Sequence, residues 1–473
     1  MKKNSSEEKL GLVISAFRKR AEIYRDTGIF EKGISDSEEA LQKSKKTSDT
    51  VRTADIMIEL GDIIARGKSN YEYAEKLILY AIKMIDKNKQ QSTYARGLHT
   101  LGIIHWYKGD LDGALKKYYT KSVRVLEKGK DKRMIAAAYG NMGTINMDKG
   151  EYDTALKYYK KSLEICNRIR HRVGVARVSN GIGLVYNRKG DLKNALKYLT
   201  RSLEISKETG YKLGVSIASN TMGIIYNDQG KFDKALDHFN KALPIFKEMN
   251  YKIGVSMSAN NAGLAHYFKG TLDKALIYYR DSLSVSQSIG FKRGIALASM
   301  NIGRIHTARG SFSKAENHLL KSLSIFQEMN DQHGVMEVHI HLSDLFSERK
   351  EFERCYESAT TALSLAKKEN QKAHMILARI MRGKSLTQSD PEKARSLFEK
   401  IVSTTKKEKM RIGHILVLYE LTKLLYRIGD LHQAKKYMKE AKKLVKVSGA
   451  TFWLKKFNHL QTEREKKQRK QKN

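Results

Sequence analysis

Apolar positions along this chain recur at helical spacing, never in strand-like alternation. Ile182, Val185 and Tyr186 stand at i, i+3 and i+4 of one segment, and Leu192, Ala195, Leu196, Leu199 and Leu203 form a single stripe along the next. Between them Lys189-Gly190 stops the first helix, and Asp191 is placed to cap the second. A turn near Thr209-Gly210-Tyr211 closes the unit. The pattern then returns: Ala155, Ala195, Ala235 and Ala275 open matching Ala-Leu segments 40 residues apart. Gly102, Gly143, Gly183, Gly223, Gly263, Gly303, Ser343 and Gly383 supply a small residue where another helix must approach closely. Gly109, Gly150, Gly190, Gly230, Gly270 and Gly310 mark the turns, and weaker copies (Ala21 with Gly28, Gly61 with Gly67, Thr422 with Gly429) extend the series to about eleven units.

These units predict an all-α solenoid over residues 1–447, clearest over 91–370. A capping helix is expected over 448–466, carrying Phe452, Trp453, Phe457 and Leu460, with a basic disordered tail over 467–473. Pro391 fits the first position of a helix capped by Asp390. Pro244 falls inside a helix, where a proline costs ~3 kcal/mol unless the helix kinks, so a local bend is expected there.

The segments Leu101-Gly102-x-x-His105, Ile182-Gly183-x-x-Tyr186 and Met222-Gly223-x-x-Tyr226, followed by Ala155…Tyr159, Ala235…Phe239 and Ala275…Tyr279, resemble the tetratricopeptide-repeat (TPR) family. The usual unit of that family has 34 residues and a closing proline. The 40-residue units here resemble those of LGN/Pins polarity adaptors, kinesin light chains and many prokaryotic signalling proteins. The resemblance implies a right-handed superhelix of stacked helix-turn-helix units, with first helices lining the concave face. It says little about function, because one fold hosts many.

Composition narrows the field. Two prolines in 473 residues exclude collagen-like and Pro-rich disordered chains, and two cysteines exclude a disulfide framework. No apolar stretch reaches the ~18 residues of a membrane span, and the start has no signal-peptide apolar region, so a cytoplasmic protein without a membrane partner is expected. The formal charge of +38 calls for an anionic partner or for surroundings that tolerate a basic protein. Residues 367–473 hold 29 basic and 10 acidic residues, half of the whole excess.

Catalytic and cofactor motifs are missing or broken, so no enzyme and no cofactor are expected. Gly61 to Gly67-Lys68-Ser69 has five residues between its glycines instead of the four of a phosphate loop, and follows a helix. Gly181-Ile-Gly183 lacks the third glycine and the strand of a dinucleotide fingerprint. His105, His266 and His306 stand where Tyr186 and Tyr226 stand in their units, as helix-pairing residues. His333, His339 and His341 cluster locally, but the last two face different directions on a helix, and no metal site is expected. Cys355 takes the place of Ala195 and reads as a buried small residue.

Asparagines, in contrast, form a ladder on the first helices. Asn180, Asn220 and Asn260 lie three before the packing glycine, Asn187 and Asn227 four after it, and Asn141, Asn261 and Asn301 two before it. Asparagine is a mediocre helix former, so its recurrence asks for a reason other than helix stability. The family resemblance puts positions three before, one after and four after the glycine on the concave face. There an amide can donate to and accept from the backbone of an extended peptide, over the floor of Leu184, Ile224 and Leu264. The competing reading is that the amides join neighbouring helices. Arg304 alone fits the carboxylate clamp used by other TPR proteins for chaperone tails, so chaperone-tail binding is disfavoured.

The expected function is therefore a non-enzymatic scaffold or adaptor that holds an extended peptide or protein segment. One alternative is an RNA- or ribosome-associated protein using the basic C-terminal quarter. Sequence-specific nucleic-acid readout is disfavoured there, because no aromatics are interleaved with the lysines in a stacking pattern. Another is a peptide-sensing regulator, whose output would come from a separate partner, since repeats are expected from about Glu7 onward.

Overall fold

The computed structural model describes residues 2–27, 30–67, 70–127, 131–408, 410–448 and 450–472. Among them the chain is all-α: eleven successive helix pairs and one terminal helix, with no strand. From Arg172 the beat is strict. First helices run Arg172–Arg188, Lys212–Asp228, Lys252–Phe268, Lys292–Ala308, Gln332–Glu348 and Lys372–Leu386, starting 40 residues apart. Second helices run Leu192–Glu208, Phe232–Glu248, Leu272–Ser288, Phe312–Glu328 and Phe352–Lys368 on the same beat.

Each turn has a stated chemistry. Gly190 adopts φ 80°, its N–H meets the Asn187 carbonyl at 2.9 Å, and the Asp191 N–H meets the Tyr186 carbonyl at 2.9 Å, which closes the first helix through a left-handed residue. The Asp191 carboxylate then accepts from the Asn194 N–H at 3.1 Å as N-cap of the next helix, and Asp390 does the same for Lys393 ahead of Pro391. At the equivalent turn Lys350 takes φ 63° where other units have glycine. The helix around Pro244 runs unbroken through Phe232–Glu248. Asn240, whose carbonyl loses its helical partner to the proline, is exposed, so water can satisfy it.

The small-residue column packs as its pattern requires. A Cβ on Gly223 would stand 2.5 Å from the Phe239 ring, and one on Gly183 would stand 2.7 Å from Leu199. Ser343, in the glycine's place, uses its hydroxyl to donate to the Cys355 carbonyl at 2.8 Å, and Cys355 is fully buried as expected. Gly61 lies inside the helix Thr50–Gly67 against Ile78, which removes the phosphate-loop reading; Lys68 and Ser69, like Gly28, lie outside the described residues.

One interval differs. Gly102 and Gly143 are 41 residues apart, and the extra residue is taken up by a π-helical segment, Gly113–Tyr119, that runs into the α-helix Thr120–Glu127.

The chain divides into two compact units. The first is Met1–Met222 with Asn240–Val255 and Val285–Phe291; the second is Gly223–Phe239, Ser256–Ser284 and Lys292–Asn473. In the first, Ile58, Ile63, Ile78 and Leu101 centre one cluster. In the second, the main cluster runs from Phe232 and Phe239 through Phe398 and Leu421 to Phe452, Trp453 and Phe457.

The terminal helix runs Thr451–Lys472, past the boundary expected at 466, and from Glu463 onward it consists of Glu, Lys, Arg and Gln, all good helix formers. The side chains from 466 onward lie outside the described residues. This helix does more than close the last pair. The Thr451 hydroxyl donates to the Lys269 carbonyl at 2.6 Å, the Phe452 backbone lies against Gly270, and the Phe452 ring is 5.0 Å from that of Tyr267. Within the second unit it thus returns to the seventh pair.

Candidate functional site

The candidate site is the strip of side chains that first helices project at fixed offsets from the packing residue. In the first unit Asn180, Leu184, Asn187 and Asn220 are all half-buried. The Asn180 Oδ1 is buried without a hydrogen-bond partner, an uncommon state for a buried acceptor. Asn141 donates to Tyr119 Oη at 3.2 Å and lies 3.2 Å from His99 Nε2.

In the second unit the amides are already engaged. Asn260 and Asn301 are buried, and Asn301 Nδ2 donates to Asn260 Oδ1 at 3.1 Å across neighbouring first helices. Asn227, also buried, donates to the Asn261 carbonyl at 3.2 Å. Arg304 donates to Asn301 Oδ1 at 2.9 Å and stacks its guanidinium 4.5 Å over the Tyr267 ring. Ile224 and Leu264 are half-buried. Asn227, Asn260 and Asn301 therefore bridge helices, although Asn227 Oδ1, like Asn180 Oδ1, is buried without a hydrogen-bond partner.

Sequence reasoning named Arg304 and missed what continues its column. One and two repeats on, the same place holds Asp344 and Lys384. Lys384 is 3% exposed, and its ammonium lies 2.5 Å from Asp344, 3.3 Å from Glu348 and 3.6 Å from Glu420. Burial works against that charge, but Asp344, Glu420 and Glu348 outweigh it and raise the lysine pKa well above its usual value. Burial likewise opposes the Asp344 carboxylate, yet Lys384 and then Lys456 hold its pKa well below the ordinary range. Lys456 comes from the terminal helix and lies 5.4 Å over Trp453 and 5.5 Å over Tyr419. The signal was there in the sequence: Arg304, Asp344 and Lys384 are 40 residues apart.

The histidines behave as helix-pairing residues. His266 stacks on Tyr278 at 5.4 Å and His306 on His318 at 5.7 Å, just as Tyr186 stacks on Tyr198 at 5.7 Å. His105 is buried against Tyr118 and bridges Glu75 and Asp110 at 3.0 and 2.7 Å.

Residues 134–208, 174–248 and 254–328 match the family model of the tetratricopeptide repeat. Those stretches of the chain are similar to tetratricopeptide repeats. No curated protein matches it in sequence. Among solved structures, this chain is similar to a Rap protein complexed with Competence and Sporulation Factor, with TM-score 0.50, 12% identity, and 84% of this chain and 99% of that one covered. At that identity the likeness is one of fold. The apo form of RapI aligns with TM-score 0.49 and 19% identity over 57% of this chain and 98% of that one. Aspartyl phosphate phosphatase F from Bacillus subtilis aligns with TM-score 0.42 and 14% identity over 85% and 96%. No helix among the described residues is long and apolar enough to cross a membrane.

Proposed function

We propose that this TPR protein is a non-enzymatic cytoplasmic scaffold that binds an extended peptide segment of a partner along its first helices. The observation that carries the reading is the pair Asn180 and Asn220, half-buried at the same place on consecutive first helices, with Asn180 Oδ1 lacking a partner and Leu184 beside it. Stacked helices lie ~10 Å apart and an extended chain advances ~3.3 Å per residue, so one repeat matches about three peptide residues. Such a ligand would present backbone to each amide in turn. The similar fold of a Rap protein complexed with Competence and Sporulation Factor supports a protein that holds a partner.

The test is partner capture by pull-down with Asn180→Ala and Asn220→Ala. A hydrogen bond contributes ~0.5–1.5 kcal/mol net, so each change should weaken capture by up to ~tenfold. The double variant should retain the wild-type circular dichroism. Undiminished capture by a folded double variant would sink the reading.

A second reading rests on the last pair. Lys435, Lys439, Lys442, Lys443, Lys446 and Arg464 rim a cavity of about 540 Å³ floored by Tyr426, Leu431 and Met438, with Glu465 the single acid in its lining. This supports an anionic partner, either an acidic protein surface or RNA. Binding through this rim should fall steeply with added salt, while a peptide held by amides should tolerate it.

A further inference from the structure

Stacking brings His374 onto two side chains, His333 and Glu337, that belong to the preceding helix pair. His333 and Glu337 are one turn apart on the helix Gln332–Glu348, so they share a face. His374 joins them from the helix Lys372–Leu386 of the next pair. One donor atom from each of the three falls within 4.8 Å of the others, and His374 Nε2 is 3.5 Å from Glu337 Oε1. The two imidazoles meet edge to face at 4.8 Å. All three residues are half-buried, so the cluster is enclosed yet reachable from solvent.

We propose that His333, Glu337 and His374 bind a divalent first-row transition ion, with zinc as the representative, and thereby tie the ninth helix pair to the tenth. The donor set decides the class: two imidazole nitrogens and one carboxylate suit zinc and its neighbours, whereas calcium and magnesium take oxygen ligands. Zinc bonds of ~2.0–2.1 Å place tetrahedral donors ~3.3 Å apart, and the Glu337–His374 pair already stands near that spacing. Small rotations of half-exposed side chains bring the widest separation in. His374 Nδ1 is buried and makes no hydrogen bond, so Nε2, which faces Glu337, is the ring's engaged nitrogen. Three protein ligands leave a fourth position for water or for a side chain of a partner. His339 and His341 fall outside the three-residue cluster; His341, one turn past Glu337, feels the charges of Glu337 and His374 as well as those of Arg304 and Asp344.

The test uses the full chain freed of metal by chelator, titrated with zinc by calorimetry and with cobalt(II) by visible absorption. One equivalent should bind, cobalt should show the intense bands of a low-coordinate nitrogen–oxygen site, and zinc should raise the melting temperature. His333→Ala, His374→Ala and the near-isosteric Glu337→Gln should each weaken binding by ~tenfold or more and abolish the thermal shift. His339→Ala should bind as the wild type does. Absence of stoichiometric zinc binding by the wild type overturns the proposal, as does unchanged affinity in folded Glu337→Gln or an equal loss in His339→Ala.

Discussion

Gly223 shows how much a single missing side chain decides. With Phe239 already 2.5 Å from where a Cβ would stand, Gly223→Leu must push two helices apart. Overpacking of this kind costs ~1–3 kcal/mol, read as a lower midpoint in urea with the backbone circular dichroism otherwise retained. An unchanged midpoint would contradict the packing role. His99 makes the complementary case for a titrating residue. Its enclosed setting disfavours the charged ring and, against Asp62 but with Arg66 and Arg177, holds its pKa down to about 4 from 6.5. Between those values the unfolded chain binds a proton that the fold refuses, so stability should fall as pH drops through that window. In His99→Gln that loss should be shallower; an equal drop in the urea midpoint between pH 7 and pH 4.5 in both proteins would refute it. What was legible at this scale was the small-residue column and its Cys355 counterpart, because a missing Cβ recurring on one helical face has few other uses. The contact of His374 with Glu337 was not legible, since their separation in sequence is set by helix stacking and not by any local period.

Among the helices, the π-helical segment Gly113–Tyr119 carries a record of one extra residue. Ala114 and Ala155 both stand five residues after their turn glycines, whereas Tyr119 and Tyr159, which fill the same place against Gly102 and Gly143, are offset by one. The insertion therefore lies between Ala114 and Tyr119, and a wider turn absorbs it so that every later side chain keeps its face. Thr120 marks the seam, its hydroxyl donating to the Leu115 carbonyl at 2.8 Å, five residues back. Deleting the exposed Lys116 should restore a regular α-helix with an equal or higher melting temperature. Deleting Lys157, its counterpart in the regular helix Tyr152–Arg168, should rotate the remainder by ~100° and unfold the pair. If both deletions are equally harmful, the segment is not a stored insertion. The irregular interval was visible in the glycine positions, but only the backbone shows where the chain accommodates it.

Over the whole molecule, the repeats were legible and the destination of the last helix was not. Its apolar face, Phe452, Trp453 and Phe457, announced burial; a stripe does not say which surface it will meet. Phe457 is fully buried, with its ring 5.3 Å from that of Tyr419, so Phe457→Ala should cost ~3–5 kcal/mol. Because the same helix holds Lys269 and Gly270, the loss should spread. Hydrogen exchange should quicken in Lys252–Phe268 and Leu272–Ser288 as well as in the last pair. Quickening confined to residues after 411 would show that the return contact carries no stability.

That return contact also sets a schedule. A linear array can fold as it leaves the ribosome, each pair settling on the one before. Here Lys269 waits for Thr451, and Gln229 for Arg411, in each case a partner 182 residues later. At synthesis rates of ~5–20 residues per second, the apolar surface around Tyr267 stays uncovered for roughly ten to forty seconds in every nascent chain. For that interval the seventh pair is an open face, available to a chaperone or to a neighbouring chain on the same message, and it closes only once Thr451 and the helix behind it have been made.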